Sequence, residues 1–144
     1  MKNIETSIKI NASRLQVWET LMAFDSYSDW NPFIRSISGN AQENSRLQIK
    51  LLPQGNQRTI TIKPVVLTNK PLNEFRWKGK LGIKGLFDGE HYFTLQDQPG
   101  GTTIFTHGEE FSGVLVPLLS GLLKKTEESF IQMNEALKKQ AEAA

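Results

Sequence analysis

At 144 residues, with a net charge of +2 and no cysteine, the chain has the size of one domain able to bury a core without disulfides or a structural metal. The missing thiols exclude a disulfide framework, a cysteine nucleophile, an iron–sulfur cluster and a thiolate zinc site. Lys/Arg and Asp/Glu alternate along most of the chain, so no field that would collect nucleic acid is expected. The local excess of Lys78, Lys80 and Lys84 beside Trp77 reads as lysines that keep a surface loop in water.

The N-terminal MKNIETSIKI has neither the apolar run nor the cleavage site of a signal peptide, which leads to the expectation of a cytoplasmic protein. Within it Ile4, Thr6, Ile8 and Ile10 alternate with polar residues, the period of a strand with one buried face. Ser13 and Gln16 then stand at capping-box spacing, each side chain placed to accept the other's free backbone N–H. The helix that follows is given an apolar stripe of Leu15, Trp18, Leu21 and Met22. Any short second helix must stop before Asn31-Pro32, because a residue preceding proline is pushed out of the α region. Trp18 and Tyr27 are assigned to packing, whereas Trp30, at that corner, suits packing and the mouth of a cavity equally well.

Six strands follow, near 33–39, 46–52, 58–68, 73–80, 86–96 and 102–112, separated by Gly, Pro, Asn and Asp clusters. Pro64 cannot donate to a ladder, which predicts an edge or a bend within 58–68. Gly79, Gly82, Gly85 and Gly89 lack the following helix that a phosphate loop needs, and read as a loop over a pocket. Leu115, Leu118, Leu119, Leu122, Thr126, Phe130, Met133 and Leu137 recur at helical steps and predict one long terminal helix, with Pro117 in its first turn. Its apolar start, Val114 to Leu123, is assigned to the core, with a lid, a membrane contact or a homodimer contact left open. The longest apolar stretch, Gly113 to Leu123, is far too short to form a transmembrane segment.

The order β-α-α-β6-α over residues 1–144 predicts a single α+β domain: a seven-stranded curved antiparallel sheet wrapped around the C-terminal helix, with an apolar cavity where helix and sheet diverge. Two segments carry a family resemblance. Ala12 to Leu21, followed by Asp25 to Phe33 with its Trp-Asn-Pro-Phe corner, resembles the opening of the START/Bet v 1-like (SRPBCC) superfamily, in particular its polyketide cyclase/dehydrase branch. His91-x-Phe93-x-Leu95, Gly100-Gly101-Thr102 and Phe105-x-His107-x-Glu109-x-Phe111 resemble the last hairpin of bacterial members. The resemblance implies a helix-grip fold and binding or transport of lipids, sterols, polyketides or similar molecules. It does not choose between carriers, cyclases or dehydratases, and co-chaperones.

Strand parity puts Phe87, His91, Phe93 and Leu95 on one face of that hairpin, and Thr103, Phe105, His107, Glu109 and Phe111 on the facing side. A turn centred near Pro99 would set His91 opposite His107 and Phe93 opposite Phe105. The two imidazoles and the carboxyl suit three roles: divalent-metal ligands, acid–base groups, or polar anchors for a ligand. The last is the reading taken, with no metal and no cofactor. The expected ligand site is then Trp30, Phe75, Trp77, Phe87, His91, Phe93, Phe105, His107, Glu109, Phe111, Leu115, Leu119 and Leu122, around a small hydrophobic molecule. The alternative is a cyclase- or dehydratase-type enzyme using His91, His107 and Glu109.

Overall fold

The computed structural model describes residues 2–80, 88–113, 116–118 and 120–144, with the backbone alone at Leu118 and Ser120. Strand β1 (Lys2–Ile10) leads into helix α1 (Arg14–Met22), a 3₁₀ turn (Phe24–Ser26) and helix α2 (Tyr27–Trp30). Strands β2 (Ile34–Gly39), β3 (Leu47–Leu51), β4 (Ile60–Ile62), β5 (Val65–Lys70), β6 (Glu74–Lys80), β7 (Asp88–Gln98) and β8 (Thr102–Ser112) follow. A second 3₁₀ turn (Val116–Leu118) precedes helix α3 (Ser120–Ala143). The fold is α+β of helix-grip type. A five-stranded antiparallel sheet runs β1-β8-β7-β6-β5 and a three-stranded one β2-β3-β4. They meet where Arg46 bridges Val65, with Leu47 N–H donating to the Pro64 carbonyl at 2.9 Å and Val66 N–H to that of Ser45 at 2.9 Å.

There are thus eight strands among the described residues, not seven. The reason is Pro64, which lacks an N–H and fixes its own φ, so the run 58–68 breaks into β4 and β5. Helix α3 starts later than the leucine spacing suggests, because Pro117 lies in the separate 3₁₀ turn. Its buried side is Leu123, Phe130, Met133, Leu137 and Ala141, with Ser129 and Asn134 also buried among them, and it packs on β1, β8, α1 and α2.

Only half of the capping box forms. Ser13 Oγ accepts from Gln16 N–H at 3.2 Å, but the Gln16 amide donates to the carbonyls of Ala141 (2.6 Å) and Ala144 (2.9 Å), pinning α1 to the end of α3. The buried stripe of α1 is Val17, Trp18 and Leu21, while Leu15 is 55% exposed. Asn31 explains the tight corner after α2: its Oδ1 accepts from Phe33 N–H (2.9 Å) and Ile34 N–H (2.8 Å), which turns Phe33 inward.

The β7–β8 hairpin departs from the expected register. Its turn is centred on Gly100, with Gln98 opposite Thr102, because Gly100 and Gly101 both take positive φ (83° and 75°) and carry the reversal past Pro99. Moving the centre by one residue slides the pairing by two. His91 consequently faces Glu109, Phe93 faces His107 and Leu95 faces Phe105.

Candidate functional site

An apolar wedge opens between α3, the inner face of β6–β8 and the β3–β4 hairpin. Phe33, Leu51, Pro53, Ile60, Ile62, Trp77, Gly79, Lys80, Gly89, Glu109, Phe111, Leu122 and Thr126 line a cavity of about 80 Å³. Four of the residues expected from the sequence are there: Trp77, Glu109, Phe111 and Leu122. Phe75, Phe93 and Phe105 are buried in the core and are absent from this lining. Trp30 is half-buried against Tyr27, ring centroids 5.2 Å apart, in a separate surface groove with Gln16, Thr20 and Gln140. Phe87, Leu115 and Leu119, like Gly82, Gly85 and Lys84, lie outside the described residues.

His91 and His107 are drawn together, but behind the wall. His91 is 3% exposed and His107 is fully buried. Trp77 stacks on His91 (4.6 Å, 11° between planes) and Phe130 on His107 (4.0 Å, 14°), which places the imidazole pair between two aromatic plates. The ring nitrogens then form a chain. His91 Nε2 meets His107 Nε2 at 2.7 Å, His91 Nδ1 meets Glu109 Oε1 at 3.3 Å, and His107 Nδ1 meets Asn134 Oδ1 at 2.9 Å. Asn134 Nδ2 donates to Thr6 Oγ1 at 2.8 Å, and that hydroxyl donates to the His107 carbonyl at 2.9 Å.

The far end of the chain fixes its polarity. Thr6 gives its one proton to a carbonyl and must accept from Asn134, so Oδ1 of that amide faces His107 and accepts from Nδ1–H. A neutral His107 then offers a lone pair at Nε2, His91 donates from its own Nε2, and His91 Nδ1 becomes an acceptor turned toward Glu109. The Glu109 carboxyl completes the chain by donating its proton there.

Electrostatics favour the same arrangement. Burial lowers His91 to about 3, and burial together with the neighbouring His91 holds His107 well below the ordinary imidazole range, although the Asn134 hydrogen bond pulls the other way. Burial raises Glu109 to about 8. The 3.3 Å contact between His91 and Glu109 has ion-pair geometry, but charging both partners would desolvate two ions where a neutral pair makes the same hydrogen bond. The proton therefore rests on the carboxyl. The nitrogens face each other and diverge at Nδ1, and do not converge on one point as metal ligands must.

Glu109, with its side chain 18% exposed, is the one member of the chain that lines the wedge. Gly89 makes room for it: a Cβ there would lie 2.1 Å from Glu109 Oε2. Ile60, Ile62 and Asn134 were not singled out from the sequence. Phe33 reads there only as part of the corner, and Gly79 and Gly89, which read as part of a loop over the pocket, lie within β6 and β7. The available signal for Asn134 was its place between Phe130 and Leu137 on the apolar stripe, where a polar side chain must find a buried partner.

A family model described as polyketide cyclase/dehydrase and lipid transport matches residues 1–142. The chain belongs to that family. Solved structures share its fold. The Zhui aromatase/cyclase of a Streptomyces species superimposes with a TM-score of 0.77 at 13% identity, covering 98% of this chain and 93% of that one. A START superfamily protein of Mycobacterium smegmatis gives 0.74 at 18% identity, covering 98% and 97%. Ara h 8.0201 gives 0.74 at 10% identity, covering 99% of both chains. A comparison with curated proteins finds no match. No helix among the described residues of this polyketide cyclase/dehydrase and lipid transport family member is long and apolar enough to cross a membrane.

Proposed function

We propose that this domain binds a small hydrophobic molecule, such as a lipid or polyketide, in the wedge beneath α3. The observation that carries the reading is the composition of that wall. Phe33, Leu51, Ile60, Ile62, Trp77, Phe111 and Leu122 surround a single carboxyl, Glu109, which is held neutral. Burying an apolar ligand there contributes roughly 25 cal/mol per Å² before the cost of immobilising it. With the Glu109 proton engaged by His91, the carboxyl's remaining acceptor capacity takes one directed hydrogen bond from a ligand hydroxyl, while His91 and His107 act through it as positioning residues.

Leu122 is half-buried at the helix side of the wedge, so a larger side chain there fills the space without disturbing the aromatic plates. Leu122→Trp is expected to weaken binding of a neutral environment-sensitive fluorophore by about tenfold or more, since an occupied pocket forfeits the apolar contact. Circular dichroism should show the fold retained. Unchanged affinity in a folded variant would contradict the pocket assignment.

The hydrogen-bonded chain ending at the wall favours a second reading, a cyclase or dehydratase in which Glu109 gives its proton to a ligand carbonyl and takes one from the adjacent ligand carbon, enolising the ligand and restoring the carboxyl, with His91 Nδ1 holding it in place. Glu109→Gln separates the two. Glutamine still donates to His91 Nδ1 but transfers no proton. A carrier keeps its affinity, whereas an enzyme loses about 10²–10⁴-fold in turnover of the co-purifying ligand.

A further inference from the structure

The ladder between β5 and β6 ends at Val65 opposite Lys78; beyond it β6 continues through Gly79 and Lys80 while the other chain turns away at Pro64 toward β4. A lateral cleft of about 580 Å³ opens there, with Thr61–Lys63 on one bank and Lys78–Lys80 on the other. It adjoins the apolar wedge along Ile62, Gly79 and Lys80, which line both. Four cations, Arg46, Lys63, Lys78 and Lys80, border the cleft against one carboxylate, Asp88. The Arg46 guanidinium is held at its edge by donating to the Lys63 carbonyl at 2.6 Å. Among the described residues none of these four forms an ion pair with a carboxylate. Lysines that read from the sequence as keeping a loop soluble are gathered by the fold around an opening to the pocket.

Lys80 stands across the ladder from Asp88 and Lys78 from Glu90, but within the cleft four cations face one carboxylate, and an anion bound among them offsets that excess. The interior of the wedge disfavours an anion, because its walls are mostly apolar, its carboxyl is Glu109 and its one cation, Lys80, stands where the wedge adjoins the cleft. We infer that the ligand is a free single-chain amphiphile whose tail occupies the wedge and whose anionic oxygen head group, carboxylate or phosphate, lies in the β4–β6 cleft against Lys63 and Lys80. This rests on the pocket reading above and adds the ligand's class and orientation.

Calorimetric titration with monomeric dodecanoate, dodecyl phosphate and dodecanol at pH 7.5 and low salt tests it. Both anions are expected to bind about tenfold more tightly than the alcohol, with the gap closing as salt is raised. Lys63→Gln/Lys78→Gln, at two cations that border the cleft and not the wedge, should bring the anions to within about threefold of dodecanol and leave dodecanol unchanged, as expected when exposed cations act on charge alone. Equal binding of all three to the wild type would overturn the inference while leaving the pocket standing. Binding of none would overturn both. Attachment to phosphatidylglycerol vesicles without uptake of any monomer would overturn the inference in favour of a membrane surface.

Discussion

Phe130→Ala is expected to destabilise the protein by about 3–5 kcal/mol, the range for removing a fully buried aromatic ring. Phe130 has no exposed surface and packs at 5.7 Å from Phe33, 4.0 Å from His107 and 5.0 Å from His91, ring centroid to centroid. Its loss removes apolar contact and also opens space beside two uncharged imidazoles that water can enter. Desolvation is the main reason His91 stands at about 3 and His107 well below its ordinary range, so both should titrate closer to the usual imidazole value in the variant. Urea unfolding at pH 7 gives the stability, and the C2–H proton shifts of the two histidines give the titration. Phe130→Leu retains most of the volume and should cost less than the alanine change. A loss below about 1 kcal/mol for alanine would contradict the packing described, since even a buried aliphatic side chain cut back to alanine costs about 2–5 kcal/mol.

Wild-type stability is expected to peak near pH 6.5, and Glu109→Gln to remove the alkaline side of that peak. The Glu109 carboxyl is raised to about 8 in the folded state, from an ordinary value of 4.5. Between those values the folded protein holds a proton that the unfolded chain has released, so stability falls as pH rises and levels off above about 8. The histidines act with the opposite sign. Their folded values lie below the ordinary 6.5, so the unfolded chain gains protons as pH falls through 6.5 and stability is lost toward acid. Between pH 6.5 and 8 the carboxyl contributes a loss of about 2 kcal/mol, at up to about 1.4 kcal/mol per pH unit, against a histidine gain that fades above about pH 7.5 and is common to wild type and variant. Glutamine makes the same hydrogen bond to His91 and does not titrate. The variant's stability relative to wild type should therefore rise by about 2 kcal/mol across that interval in denaturant melts. An ion pair with a charged His91 would hold the same single proton and give the same slope, so the imidazole nitrogen NMR shifts of His91 decide between them. Neutral-imidazole shifts at pH 7 are expected, and imidazolium shifts would refute the neutral chain.

The sequence discloses the fold well because its signals are local and periodic: alternation in β1, the Asn31-Pro32 corner, and the Phe130–Met133–Leu137 stripe each specify an element and a face. The site was harder to read because it depends on pairings between distant segments. Parity correctly put His91, His107 and Glu109 on inward faces, but their partners depend on where the Gly100–Gly101 turn is centred, and one residue of error changes every pair by two. His91 and His107 still meet, as diagonal neighbours, while Glu109 takes the position opposite His91. Neither the shielding of the imidazoles by Trp77 and Phe130 nor the tautomer imposed by Asn134 and Thr6 follows from spacing, since both require β1 and α3 to be in place. The basic cleft is hidden for the same reason. Arg46 and Lys63 are distant in sequence from Lys78 and Lys80, and they come together because Pro64 splits a strand.

The central claim is that the wedge, and not the groove beside Trp30 or the general surface, holds an apolar molecule. Methyl-resolved NMR during titration with dodecanol tests this most directly, because leucine and isoleucine methyls line the wedge and others stand elsewhere in the core. Saturable shifts should be confined to Leu51, Ile60, Ile62 and Leu122, which line the cavity, with Ile10, Leu21 and Leu137 unmoved in the core outside that lining. Saturable binding that leaves the Ile60, Ile62 and Leu122 methyls unperturbed, or that shifts residues around Trp30 instead, would contradict the account.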